Sequence, residues 1–319
     1  MRLRKTVVAA GVAGLAAGAE LVLRRRRPRT AHGRYADWVH PGGLPGRPLA
    51  VLANSRVARA VCEVFPVPAM VSDITGVVYV NYVVPAARLL PLVPPGLELQ
   101  RVGPGGEQAV FTFLSYRHGH LGPAKAGPLR RLLPSPVQSN WRIYVQDPHT
   151  GYTGVHFVTT AVDSAAHALG GRLLCEALPM HLLDHAEIKT EDDGTVRLRL
   201  EPGSGSAPDA DAVLAPAPEP TGGPWESAFG TYDDMLKYVV HQDRALSVQP
   251  WRRWVTRQEI QLDLTPDDCR PLSGPMRSAA ARALVGDAEP ISFLVPQVTL
   301  RFWTEEHDRR ITDRTSQTR

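Results

Sequence analysis

Lysine is scarce in this chain: Lys5, Lys125, Lys189 and Lys237 are the only four among 36 basic residues. An amine nucleophile therefore has few places to sit, and Lys237 follows Asp233 by four positions, the spacing of an ordinary surface pair on a helix. Cysteine is scarcer still. Cys62, Cys175 and Cys269 are odd in number, far apart and in no CxxC spacing, which excludes a disulfide framework and a zinc knuckle. They read as buried or inert thiols of a reducing compartment. No glycine-rich phosphate loop, no Ser-His-Asp order, no zinc signature and no internal repeat is present. The longest apolar run, Val7 to Leu23, is broken by Glu20 and stops short of the roughly 20 residues a spanning helix needs.

What is present is an ordinary globular composition of 319 residues, 43% hydrophobic and 21% charged. Its net charge of +4 is unevenly placed. Residues 1–34 hold nine basic side chains against Glu20, so the remainder, with 27 basic and 31 acidic residues, is net −4. The positive field belongs to the leader, and nothing points to a nucleic-acid partner for the body. Three readings of the leader stay open. Met1 to Lys5, the apolar segment and Arg24 to Arg27 fit a membrane anchor with the body on the cytoplasmic side, or an uninserted segment held at an anionic membrane surface. Ala17-Gly18-Ala19 has the form of a signal-peptidase site.

Residues 35–69 read as a Gly/Pro-rich linker followed by a short helix, Ser55 to Val64. The period then changes. Val77 to Val84 is an almost unbroken β-branched and aromatic run, the mark of a buried strand. Further strands are expected at Gln108–Tyr116, Asn140–Gln146, Gly154–Val162, His185–Lys189, Val196–Leu200, Trp254–Leu264 and Phe293–Trp303. Short helices are expected at Ala86–Leu92, Ala165–Leu174 and Met276–Val285, and a longer one at Thr231–Ala245. His118 to Pro136 reads as a long binding loop, residues 201–226 as a mobile loop or loose hairpin, and 304–319 as a polar tail. Many strands, few helices and no βαβ alternation indicate an α+β, mainly antiparallel, barrel-like domain over residues 70–303.

Within Asn140-Trp-Arg-Ile-Tyr-Val145, period two sets Asn140, Arg142 and Tyr144 on one face and Trp141, Ile143 and Val145 on the other. If the apolar face meets a core, the polar face meets water or a polar lumen. Arg142 is then either a fork for an organic anion or a structural salt-bridge partner. His156 titrates near neutrality and could serve as acid or base, although a lone strand histidine is commonly structural. His181 and His185 would form a metal pair only on a helix, which Pro179 disfavours, so no metal or other cofactor is assigned.

From about residue 70 to 303 the chain resembles the acetoacetate decarboxylase superfamily, and within it the uncharacterised YqjF-like branch. The resemblance is carried in order by Asn81-Tyr-Val-Val-Pro85 with Leu92-Val-Pro94-Pro-Gly96-Leu97, Asn140-Trp-Arg-Ile-Tyr-Val145, Gly154-Val-His-Phe157, Gly171-Arg172 with Leu178-Pro179, and Phe229-Gly-Thr231 with His241-Gln-Asp-Arg244. It implies a cone-shaped antiparallel β-barrel with a few flanking helices and a central small-molecule cavity. Two departures stand out. Met180-His181 follows Pro179 where such decarboxylases carry the lysine pair of their Schiff base, and Gln138 takes the place of a glutamate before Asn140. A thioether cannot condense with a ketone. The resemblance thus implies a lysine-independent enzyme acting on a small keto or enolisable organic acid, in a decarboxylase-, dehydratase- or cyclase-like step. Arg142 and Gln138 would line the binding site, Asn140 and Tyr144 would hydrogen-bond a developing enolate, and His181 or His156 would move the proton. The competing class is a non-catalytic barrel that binds an apolar metabolite or lipid, with a lumen lined by Leu, Val and Phe.

Overall fold

The computed structural model describes residues 18–22, 37–65, 67–249, 253–303 and 305–311. The leader expectations for 1–17 and 23–34 lie outside these residues. Among the described residues no helix is long and apolar enough to cross a membrane.

The β-branched run forms a strand of 16 residues, β1 (Met70–Pro85), buried on both faces from Val77 to Val84. It is followed by β2 (Gln108–Arg117), β3 (Val137–Gln146) and β4 (Thr153–Val162), each antiparallel to its predecessor. Later in the chain come β5 (Arg244–Gln249), β6 (Trp254–Leu262) and β7 (Ile291–Phe302). β5 runs parallel to β4 through Val155 and Ala245, β6 pairs with both β5 and β7, and β7 returns to β1. Seven strands therefore close a ring, and the structure is the expected strand-rich α+β barrel.

Closure gives every strand an inner and an outer face. Outward-pointing Val78, Val80, Phe111, Phe113, Trp141 and Ile143 form one core with Leu198, Leu200 and Leu214 from strands that cover the barrel. Trp141 stacks on Phe113 at 4.4 Å between ring centroids. Inward-pointing Val77, Tyr79, Leu114, Tyr116 and Phe157 form the other core. The polar face of β3 consequently points into the lumen.

Three helices matter for the site. α1 (Arg56–Cys62) is capped by Ser55, whose side chain accepts from Ala58 N. α2 (Ala165–Leu174) spans the range expected for it. α3 (Tyr232–Val240) is capped by Thr231, with Asp233 and Asp234 in its first turn, and Lys237 pairs with Asp233 at 2.6 Å. α3 ends five residues earlier than its apolar spacing suggested, because the chain turns at His241 and enters β5, whose pattern the helical reading had absorbed. The segment 201–226 is more ordered than its composition implied. Ala210–Pro216 is a strand on the Val196–Glu201 hairpin, with Ala210, Ala212 and Leu214 inward, and Pro224–Phe229 is helical. Residues 118–136 contain a 3-10 segment, Ala124–Leu132. Glu306–Arg310, expected in a polar tail, pairs with β6.

Gly154 explains itself at the ring's one parallel joint. A Cβ there would stand 2.4 Å from the Arg244 carbonyl oxygen. Gly154→Ala is expected to cost about 1–3 kcal/mol by prising β4 from β5, whereas Gly170→Ala in α2, with nothing within 4 Å, should be neutral or stabilising. Urea unfolding of the two variants compares them; equal stabilities would refute this view of the joint.

Candidate functional site

The lumen holds a cavity of about 310 Å³. Most of its wall is apolar: Ile74, Val77, Leu114, Phe157, Met180, Ile260, Leu262, Val298, Leu300 and Phe302. One side is polar, and β3 builds it. Gln138, Asn140 and Arg142 all reach the cavity, joined by Tyr79 from β1, Tyr116 from β2, and His118 just beyond it.

Arg142 is 4% exposed. Among the described residues it has no carboxylate within 4 Å, so no salt bridge accounts for it. Its Nη2 donates to the Val239 carbonyl at 2.8 Å, and its Nε is buried without an acceptor. The guanidinium lies 5.7 Å from the Tyr79 ring centre and 5.6 Å from that of Tyr144. Val239 belongs to the last turn of α3, where unpaired carbonyls carry the negative end of the helix dipole. Carbonyl and ring faces offset part of the buried charge but do not neutralise it.

Beside Arg142 runs a chain of side-chain hydrogen bonds. Asn140 Nδ2 donates to the Tyr116 hydroxyl at 3.0 Å, Gln138 Nε2 donates to Asn140 Oδ1 at 2.7 Å, and Gln138 Oε1 lies 3.0 Å from His118 Nε2. His118 Nδ1 is 2.8 Å from Ser72 Oγ. With the Gln138 amide assigned in this direction, His118 donates through Nε2 and accepts from Ser72 through Nδ1, the pattern of a neutral imidazole. Burial agrees, pushing the His118 pKa down to about 4. Burial also raises the tyrosine hydroxyls, Tyr79 to about 12, although the neighbouring Arg142 opposes the shift. The Tyr116 oxygen accepts from Asn140, and its own proton is left to donate into the cavity.

The remaining sequence candidates lie elsewhere. Tyr144 sits behind Arg142, its hydroxyl 2.9 Å from Thr112 Oγ1 and 3.4 Å from the Val239 oxygen, and does not line the cavity. His156 turns to the opposite face of β4 from Phe157, and its Nδ1 meets the Leu246 carbonyl at 3.1 Å. Loss of solvation there lowers its pKa to about 4. His181 faces away from the lumen and bonds Ser206 Oγ at 2.7 Å. Its strand, Met180–Leu182, alternates, so Met180 is the residue that enters the cavity. His181 and His185 share no helix. Among the described residues no lysine or carboxylate lines the cavity, and no cluster of three or more His, Cys, Asp or Glu is suited to a metal.

Sequence reasoning missed Tyr79, Tyr116, His118 and His167. Tyr79 is hidden in an unbroken apolar run where alternation gives no signal, and His118 falls at the start of the expected loop. His167, on α2 at the cavity, bonds Ser164 Oγ at 2.8 Å and has its pKa lowered by burial.

A histidine held neutral in the fold is protonated first in the unfolded chain, near pH 6.5, so stability is lost as pH falls from there toward 4. His118→Gln should flatten the slope of unfolding free energy over that window by up to about 1.4 kcal/mol per pH unit. An unchanged slope in urea titrations at several pH values would mean that His118 is already protonated in the fold.

Residues 73–262, more than half of the chain, match the family DUF2071, uncharacterized conserved proteins (COG2071). No curated protein matches. Among solved structures, an acetoacetate decarboxylase from Legionella pneumophila is similar at 14% identity and a TM-score of 0.52, over 76% of this chain and 89% of that one. An acetoacetate decarboxylase-like enzyme from Sphingomonas wittichii RW1 is similar at 9% identity and a TM-score of 0.54, over 76% and 94%. The enduracididine biosynthesis enzyme MppR, complexed with pyruvate, is similar at 15% identity and a TM-score of 0.51, over 76% and 90%. These likenesses show the fold, an acetoacetate decarboxylase-like barrel. The chain belongs to the DUF2071 family.

Proposed function

We propose that the barrel binds an organic acid with an apolar body, its carboxylate or enolate seated on Arg142. The observation that carries this reading is a buried guanidinium without a carboxylate partner, placed on the polar side of a mostly apolar cavity. Burying an uncompensated charge costs several kcal/mol, and an anionic ligand would relieve that cost. The fork geometry of Arg142 suits the two oxygens of a carboxylate or the chelating oxygens of a 1,3-dicarbonyl. Pyruvate in MppR is an organic acid in the same fold, which accords with the class though not with the size. A cavity of about 310 Å³ lined by Leu, Val, Ile and Phe favours a larger, apolar substituent.

Chemistry at this site would proceed without an imine, since no amine lines the cavity among the described residues. The uncommitted proton of Tyr116 favours a second, catalytic reading. With Arg142 it would form a pair of donors able to stabilise an enolate, the role of an oxyanion hole. A lysine-independent enolisation or decarboxylation would follow, with His167 as the imidazole at the cavity wall that would receive the proton.

Arg142→Met tests the reading. Replacing a buried charge by an apolar chain of similar length is expected to leave thermal stability within a few degrees, while affinity for the organic acid falls about 30-fold or more. The ligand is first identified by native mass spectrometry of the full chain from its own host, and affinity is then measured by calorimetry. A variant that binds as tightly as the parent would remove Arg142 from the site. Tyr116→Phe separates binding from catalysis: slower exchange of the ligand's α-protons for deuterium, followed by NMR at unchanged affinity, supports the enolate step. No exchange in the parent would leave the barrel a binding protein.

A further inference from the structure

The segment that leads from the cavity to the surface has a composition unlike the rest of the body. Between His118 and Pro136 there is no acidic residue, against Lys125, Arg130 and Arg131, in a body that is otherwise net acidic. Its 3-10 turns, Ala124–Leu132, bury no side chain. Leu129 is 68% exposed and Leu132 83% exposed, two apolar tips on one short segment beside its cations. Arg130 is engaged by Asp73 at 2.9 Å, but Lys125 and Arg131 make no ion pair among the described residues.

This segment adjoins the wall of the cavity. Gly122-Pro123 pairs with Met70 and Val71 of β1, and Ala124, Gly127 and Arg130 share a cleft with Met70, Arg301 and Trp303. Met70 itself lines the cavity, as does Leu121. Trp303 is part-exposed there, and Val64 and Phe65 stand exposed two to three residues before Val67, another lining residue. Apolar tips, an indole and unpaired cations at one side of the cavity are what an anionic bilayer surface accommodates. Leucines enter the acyl boundary, the indole sits at headgroup depth, and Lys and Arg meet lipid phosphates.

We propose that this lip docks the barrel on an anionic membrane surface with the cavity mouth toward the lipid. The proposal adds a second contact, made by the folded body, to whatever the basic leader does, and it holds for any cavity ligand. An apolar ligand would then pass between bilayer and lumen without crossing water.

The test uses the full chain and vesicles of phosphatidylcholine with or without phosphatidylglycerol. Cosedimentation with the anionic vesicles is expected, and Leu129→Asp with Leu132→Asp should weaken it at least about tenfold. These positions are exposed, so the fold tolerates the change, which circular dichroism checks. Leu132→Trp distinguishes the lip from the leader: brominated acyl chains should quench the added indole. Three results would overturn the proposal: no binding to anionic vesicles, binding that the paired aspartates leave unchanged, or bound protein whose residue 132 indole stays unquenched. The last would assign the membrane contact to the leader alone, or show the lip covered by another part of the protein.

Discussion

Everything in this molecule depends on ring closure. A flat sheet with the pattern of β1 to β3 would bury one face and leave the other in water. Once β5 and β6 join β4 to β7, the second face encloses a lumen, and residues that would have been solvated become buried. The joint is narrow. It rests on a parallel contact between Val155 and Ala245, and Gly154 allows it because a larger side chain would meet the backbone of Arg244. Strand alternation then divides the side chains between an outer core centred on Trp141 and Phe113 and an inner one containing Tyr79 and Phe157.

Closure also sets the electrostatics. Arg142 occupies a lumen position, so its charge loses most of its solvation. The fold compensates with weak partners, a carbonyl at the end of α3 and two aromatic faces, rather than with a carboxylate. A carboxylate would hold the guanidinium as a structural pair. Dipoles and rings stabilise it while keeping a net positive potential at the cavity wall. The chain from Tyr116 to Ser72 is neutral throughout and satisfies its own amides, so it fixes the shape of the polar side without competing for an anion.

The sequence made Asn140 and Arg142 visible because β3 alternates polar with apolar residues, and Gln138 through the resemblance, which implies a glutamate in its place. It could not separate Tyr144, on that same face, from the lining, because depth along the barrel axis is not a property of period two. His156 stands out as a titratable group on a strand and His181 by its place after Pro179, where the resemblance implies the lysine pair, yet their neighbours Phe157 and Met180 are the ones that face the lumen. For His181 the question was which of two adjacent residues turns inward, and a strand of three residues gives too little pattern to decide it. Tyr79 shows the opposite difficulty. In a strand buried on both faces, apolar residues occupy both registers, and the lumen side leaves no mark.

The strand-rich class, the short helices and the order of family motifs were determined by local chemistry: β-branched runs, caps at Ser55 and Thr231, and turns rich in Gly and Pro. Those features act over a few residues, so they are written in the chain. The ring, the orphaned charge of Arg142, the neutrality of His118 and the apolar cavity arise from contacts between residues far apart in the chain, 46 positions for Ser72 with His118 and 97 for Arg142 with Val239. Only the tertiary structure decides them, because desolvation depends on what the distant parts of the chain exclude from water.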